Sequence, residues 1–295
     1  MSTLADPRCP LCKGAGHIFE DSDSIVPIAG RTCDCVLRKV RSERITEHLT
    51  GAELPERYRD ASFDHFSLIA AGEVMVKDKE RGTLIRRRQA DIDRENLDRA
   101  RGLAGKALRD ETIVFTGPFG VGKTYLACAL LIAQIRGHDK SGLYITSYDY
   151  IRTLMPDAAP ASEQQAQRAK ARRVDILLLD DLGVEKGSPF AMRELWDLLH
   201  ERTANGRATI ITSNLSIGEA LQATKETKGL TPDEREAHDI GRRIFSRLAE
   251  LRVAPIQWPE GTADHRMTVG TARATGRTAR ISVRAELEAI EEDED

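Results

Sequence analysis

Short apolar runs alternate with longer amphipathic stretches through the middle of the chain. Glu111–Thr116 (ETIVFT), Gly142–Thr146 (GLYIT), Val174–Asp181 and Ala208–Asn214 are strand-length and apolar at consecutive positions. Such runs bury both faces, so with Leu251–Ile256 they predict a five-stranded parallel sheet. The stretch after the first run, YLACALLIAQI, is long enough for a helix and places Cys128 in it as a small core residue. Pro189–Thr203 predicts another helix, with Met192, Leu195, Trp196, Leu198 and Leu199 on its apolar face. Strands alternating with helices give a three-layer α/β fold. Upstream, residues 36–50 read as a basic amphipathic helix containing Val36, Leu37, Val40 and Ile45. Pro55 and the segment LPERYRDASFDHF read as an extended lead-in, and Glu73–Arg109, charge-rich and containing Leu84, Ile85, Ile92 and Leu97, as helix. No internal repeat is evident.

Composition narrows the class. The 295 residues are 40% hydrophobic and 31% charged. That length admits one large domain plus a small one, and that balance argues against a disordered, collagen-like or membrane chain. The longest apolar run, Leu126–Ala133, falls far short of the ~18–20 residues of a bilayer span. The first residues, MSTLADPRCP, lack the basic start and apolar core of a secretory signal, so a cytoplasmic protein with no membrane partner is expected. Net charge is −3, but the last ten residues hold seven acids and no base, which leaves the rest of the chain at +4. Arg168–Arg173 places four bases in six positions, and Lys225–Lys228 is a second basic segment. Both are candidate nucleic-acid tracks, and both read equally well as solvated helix faces.

Four of the five cysteines, Cys9, Cys12, Cys33 and Cys35, form CPLC and CDC pairs 20 residues apart. Two short chelates joined by a turn can surround one zinc ion with four thiolates, a closed structural site. Disulfide or redox use is the competing reading, disfavoured by the reducing compartment expected for a chain without an export signal.

The run ETIVFT leads directly into Gly117-Pro118-Phe119-Gly120-Val121-Gly122-Lys123-Thr124, followed by Tyr125 and the predicted helix. This is G-x-x-x-x-G-K-[ST] between strand and helix, a phosphate loop. Gly120 and Gly122 let backbone N–H groups turn toward phosphate oxygens. Lys123 reaches the β and γ phosphates, and the Thr124 hydroxyl is placed to ligate Mg²⁺. Asp180 and Asp181 end the strand VDILLLDD; Asp180 is the expected Mg²⁺ partner, and Asp181 is the candidate to polarise the attacking water. Asn214, ending ATIITSN, is placed to sense the γ-phosphate or that water; the plain alternative is a turn or cap residue. Arg243 and Arg247 in GRRIFSRL precede the last strand. Arg247 is the candidate arginine for a neighbouring subunit's phosphates, with an ordinary surface arginine as the alternative. Arg266, in DHRM, is a weaker candidate within the same subunit.

Taken with GPFGVGKT, LLLDDLG, TSN and RIFSRL, the lead-in LPERYRDASFDHF gives residues 52–268 a resemblance to the DnaC/IstB-type branch of the AAA+ ATPases, which includes helicase loaders. The resemblance implies ATP and Mg²⁺ as cofactors, Arg247 as the trans finger and Arg266 as a second sensor. It also implies a homo-oligomer closed through the ATP site, with single-stranded DNA and a replicative helicase as partners. The cysteine-bearing front resembles the zinc-containing module with which some loaders bind the helicase. Asp181 departs from the glutamate many relatives carry. The expected organisation is a zinc-binding partner module at 1–50, a charged helical linker and lead-in at 51–110, the ATPase at 111–268 and an acidic, disordered tail at 269–295. The implied function is helicase loading. An IstB-like transposition helper and a nucleotide-gated adaptor with little hydrolysis are the alternatives.

Overall fold

The computed structural model describes residues 4–18, 31–69, 72–77, 83–155, 157–183, 188–215, 229–249, 255–265 and 280–281. Its front is a short antiparallel pair, β1 (His17–Ile18) and β2 (Arg31–Thr32), followed by α1 (Asp34–Gly51). β3 (Leu68–Ile69) lies ahead of an antiparallel ribbon, β4 (Glu73–Lys77) and β5 (Leu84–Arg88), which leads into α2 (Gln89–Ala104). The central elements are β6 (Thr112–Thr116), α3 (Lys123–His138), β7 (Gly142–Thr146), α4 (Ser147–Leu154), α5 (Ala161–Arg173), β8 (Ile176–Asp180) and α6 (Pro189–Ala204). β9 (Ala208–Ser213), α7 (Pro232–Ala249) and β10 (Ile256–Gln257) complete them.

The expected five-stranded parallel sheet forms in the order β10-β6-β9-β8-β7. Alternate residues of each strand feed two cores. Ile113, Phe115, Ile176 and Leu178 face the layer containing α2 and α3, whereas Val114, Leu177 and Leu179 face α4, α6 and α7. α3 is apolar nearly all round because it is buried nearly all round, Cys128 included. Arg202 of α6 is fully buried on the other layer. Its guanidinium donates to the carbonyls of Ala171 at 2.7 Å, Val174 at 3.0 Å and Asp175 at 3.2 Å, closing the carboxyl end of α5. Burial lowers its pKa to about 9, so it remains charged at neutral pH.

Two expectations need correction. Glu73–Lys77 and Leu84–Arg88 form the β4–β5 ribbon, and helix begins only at Gln89. Val74, Val76 and Ile85 favour strand, and Val74 is buried with Val76 packed beside the core; the flanking charges concealed that pattern. The last strand begins at Ile256, just past Pro255, which has no N–H for the ladder; Leu251–Ala254 lie outside the described residues.

α1 starts at the cysteine cluster and ends in the main core, where Ile45 and Leu49 pack and Ala52 is buried. It lies against α3 and the edge strand β7. Arg41 donates to the Gly137 carbonyl at 3.1 Å, Arg44 pairs with Asp139, and the Tyr144 N–H donates to the Ala52 carbonyl at 2.8 Å.

Candidate functional site

β6 ends at Thr116 and the chain turns through Gly117-Pro-Phe-Gly-Val-Gly into α3. Gly120 (φ +74°) and Gly122 (φ +93°) adopt conformations that disfavour side chains, and neither has room for one. A Cβ on Gly120 would stand 1.9 Å from the Asp264 carboxylate, and one on Gly122 2.6 Å from the Phe66 ring. The loop is braced from behind: the His265 N–H donates to the Gly120 carbonyl at 3.0 Å, and the Trp258 N–H to the Thr116 carbonyl at 2.9 Å. Buried Asp93 of α2 accepts the Trp258 indole N–H at 2.8 Å and the Ile69 N–H at 3.1 Å, tying α2 to this brace.

Lys123 is 5% exposed, and its Nζ donates to the carbonyls of Gly117 at 2.8 Å and Pro118 at 2.7 Å. Thr124 Oγ1 donates to Asp180 Oδ1 at 2.9 Å, across 56 residues of sequence. Asp180 also accepts the Thr212 hydroxyl and, at 2.8 Å, the Tyr144 phenol. Burial and the Asp180 charge push that phenol's pKa up, keeping it a donor. The hydroxyl–carboxylate pair is an oxygen donor set whose chemistry fits Mg²⁺.

Asp181 has φ +56°. Its N–H donates to Thr212 Oγ1 at 2.9 Å, its carbonyl accepts the Ser147 hydroxyl at 2.9 Å, and Asn214 Nδ2 reaches its Oδ1 at 3.5 Å. Burial first, then the Asp180 charge, raises the Asp181 carboxyl above its ordinary value.

One cavity of about 570 Å³ gathers Phe119, Gly120, Gly122, Lys123, Thr124 and Tyr125 with Asp180, Asp181 and Asn214. Gly117 and Pro118 contribute carbonyls to Lys123, and Val121 is buried beneath the loop. The cavity also has a wall that motif reasoning did not identify: Arg57, Tyr58, His65, Phe66 and Ser67 of the lead-in, with His265. Tyr58 stands edge-on to Tyr125, with centroids 6.5 Å apart, and Phe66 lies between Tyr125 and His265 at 6.0 and 5.6 Å. The aromatic spacing in ERYRDASFDHF was the available signal.

Arg247 and Arg243 are not in this cavity. Arg247 borders a separate cavity of about 300 Å³ that includes Asp110, Glu111 and Thr112, at the amino end of β6. The phosphate loop leaves the carboxyl end of the same strand, about 13 Å away. Arg266 and Lys225–Lys228 lie outside the described residues. Within Arg168–Arg173, three of the four bases are engaged: Arg168 with Glu194 at 2.7 Å, Arg172 with Glu201 at 3.0 Å, and Lys170 with Glu53. That run is largely a neutralised helix face.

At the front, Cys9, Cys12, Cys33 and Cys35 are buried together, and their sulfurs all lie within 4.8 Å of one another. Cys9–Cys33 and Cys12–Cys35 are 3.7 and 3.5 Å apart, far beyond a disulfide bond of about 2.05 Å. Thiolates around a tetrahedral zinc stand about 3.8 Å apart, so number, chemistry and spacing fit that ion.

The sheet, the glycine loop and the Thr124–Asp180 pair define an ATPase of the P-loop, AAA+ class. The family model for IstB-like ATP binding proteins matches residues 39–231, and the chain belongs to that family. The putative ATP-binding protein of insertion sequence IS1162 from Pseudomonas fluorescens is 29% identical over 188 residues, covering 58% of this chain and 80% of that protein. The putative insertion sequence ATP-binding protein y4pL of Sinorhizobium fredii is 35% identical over 107 residues, covering 36% of this chain and 42% of that protein. A crystal structure of DnaI aligns at 22% identity with a TM-score of 0.49, over 70% of this chain and 94% of that one. Among the described residues no helix is long and apolar enough to cross a membrane.

Proposed function

We propose that this ATPase is a cytoplasmic helicase loader: a homo-oligomer that contacts single-stranded DNA and uses its front module to hold a replicative helicase. Lys123 and the loop N–H groups bind the phosphates, Thr124 and Asp180 hold Mg²⁺, Asp181 polarises the attacking water, and Asn214 orients it or senses the γ-phosphate. Arg247 completes the neighbour's site. Magnesium supplies charge neutralisation on the phosphates. Zinc, held by Cys9, Cys12, Cys33 and Cys35, folds the front module.

The observation that carries this reading is α1. It runs from the cysteine cluster to the carboxyl end of α3 at Gly137 and Asp139, and Lys123 is the first residue of α3, so two packed helices link the front to the nucleotide loop. The cysteines also lie before residue 39, where the family match begins, and so supply a surface outside the matched region. A second reading, a transposition helper, is favoured by the relatives, which are ATP-binding proteins of insertion sequences.

Capture experiments separate the two. Immobilised chain with ATP should retain a purified replicative helicase, and Cys33→Ser should lose it while still binding ATP. Retention of a transposase and not the helicase would overturn the loader reading.

A further inference from the structure

Arg247 is exposed near the end of α7, yet its guanidinium is held. It bonds His200 Nδ1, and its Cζ lies 5.4 Å from the centroid of the Trp196 ring. Trp196 and His200 are one turn apart on α6 and stack, with centroids 5.7 Å apart and planes 11° from parallel. Arginine only donates, so His200 accepts through Nδ1. Trp196 is seated against the core layer shared by α6 and α7, which fixes the platform.

The partners themselves are informative. Among the described residues no carboxylate pairs with Arg247. Glu111, which lines the adjoining cavity, is already engaged by Lys106 at 2.8 Å and by the Arg109 N–H at 2.8 Å. A carboxylate would orient the arginine and also cancel its charge. An indole face and an imidazole nitrogen orient it and leave the charge whole.

We propose that Trp196 and His200 are positioning residues for Arg247: they present its guanidinium, oriented and not neutralised, to the γ-phosphate of a nucleotide held by the adjacent subunit. This rests on reading Arg247 as a trans-acting finger. Such an arginine contributes about 10³–10⁵-fold in rate, and misplacement by about 1 Å can forfeit about 10²-fold.

The test is ATP turnover by the full chain with single-stranded DNA, alongside nucleotide affinity and thermal midpoint. His200→Ala should lower kcat at least about tenfold while KM, ATP affinity and thermal midpoint stay unchanged, because His200 is an exposed side chain. His200→Asn, which keeps an acceptor near the Nδ1 position, should recover part of the loss. Trp196→Phe, which preserves an apolar ring in the core layer, should give a smaller loss in kcat alone. If Arg247→Ala loses turnover while His200→Ala and Trp196→Phe retain it, the positioning role is wrong and the finger reading stands. If Arg247→Ala itself retains full turnover, both are overturned.

Discussion

Asp181 occupies a left-handed backbone conformation that Asp tolerates better than most residues with side chains, because its short polar group bonds locally. That gives a physical account of the shorter acid here. Asn shares the tolerance, so Asp181→Asn removes the charge without disturbing the turn. The variant should bind ATP like the parent and hydrolyse it about 10²–10⁴-fold more slowly, as single-turnover assays would show; parent-level turnover would remove Asp181 from the reaction. The raised carboxyl pKa fixes a second sign. The folded state binds this proton more tightly than the unfolded chain, so the stability it contributes is present below the ordinary value of 3.8 and is lost as pH rises through the raised value. At neutral pH Asp181→Asn should therefore melt higher than the parent in the absence of nucleotide. The difference should shrink as pH falls toward 3.8.

At the scale of elements, the strand–loop–helix at β6 and α3 was legible because one local string fixes both geometry and chemistry. β8 and β9 were legible because buried parallel strands carry apolar residues at consecutive positions, here Ile176–Leu179 and Ile210–Ile211. The β4–β5 ribbon was not, since charges surround Val74, Val76 and Ile85 and mimic an exposed helix. Nor was the cavity wall of Tyr58, Phe66 and His265, whose members meet only when the ends of the core fold together. The helix at 36–50 was anticipated, but its role in joining the cysteines to α3 depends on tertiary contacts. The front makes an independent prediction. Elemental analysis of protein purified without chelator should find one zinc per chain, and strong chelation should speed amide exchange around Cys9–Cys12 and Cys33–Cys35 while α3 stays protected. Absence of zinc, or equal loosening of α3, would contradict a metal-folded front on an independently stable core.

For the molecule as a whole, the decisive fact is that phosphate loop and Arg247 stand at opposite ends of β6. On the proposed reading of Arg247 as a trans-acting finger, a chain that carries both parts but cannot bring its own together would hydrolyse ATP only where two copies meet. Under that reading turnover would report on assembly, as the proposed DNA-dependent loading switch requires. The neutralised Arg168–Arg173 face offers little attraction for DNA, so the proposed loader would have to draw salt-dependent DNA binding from other bases. The most direct measurement mixes two variants, Lys123→Ala and Arg247→Ala, each prepared separately. Arg247→Ala should still bind ATP, Lys123→Ala should lose most ATP affinity, and each by itself should lack DNA-stimulated turnover. Mixed in equal amounts, they should regain part of it, because some interfaces then pair an intact Lys123 with a neighbour's intact Arg247. Normal turnover by Arg247→Ala in the DNA-bound assembly, or no recovery on mixing under conditions where the variants co-assemble, would contradict a site completed between subunits.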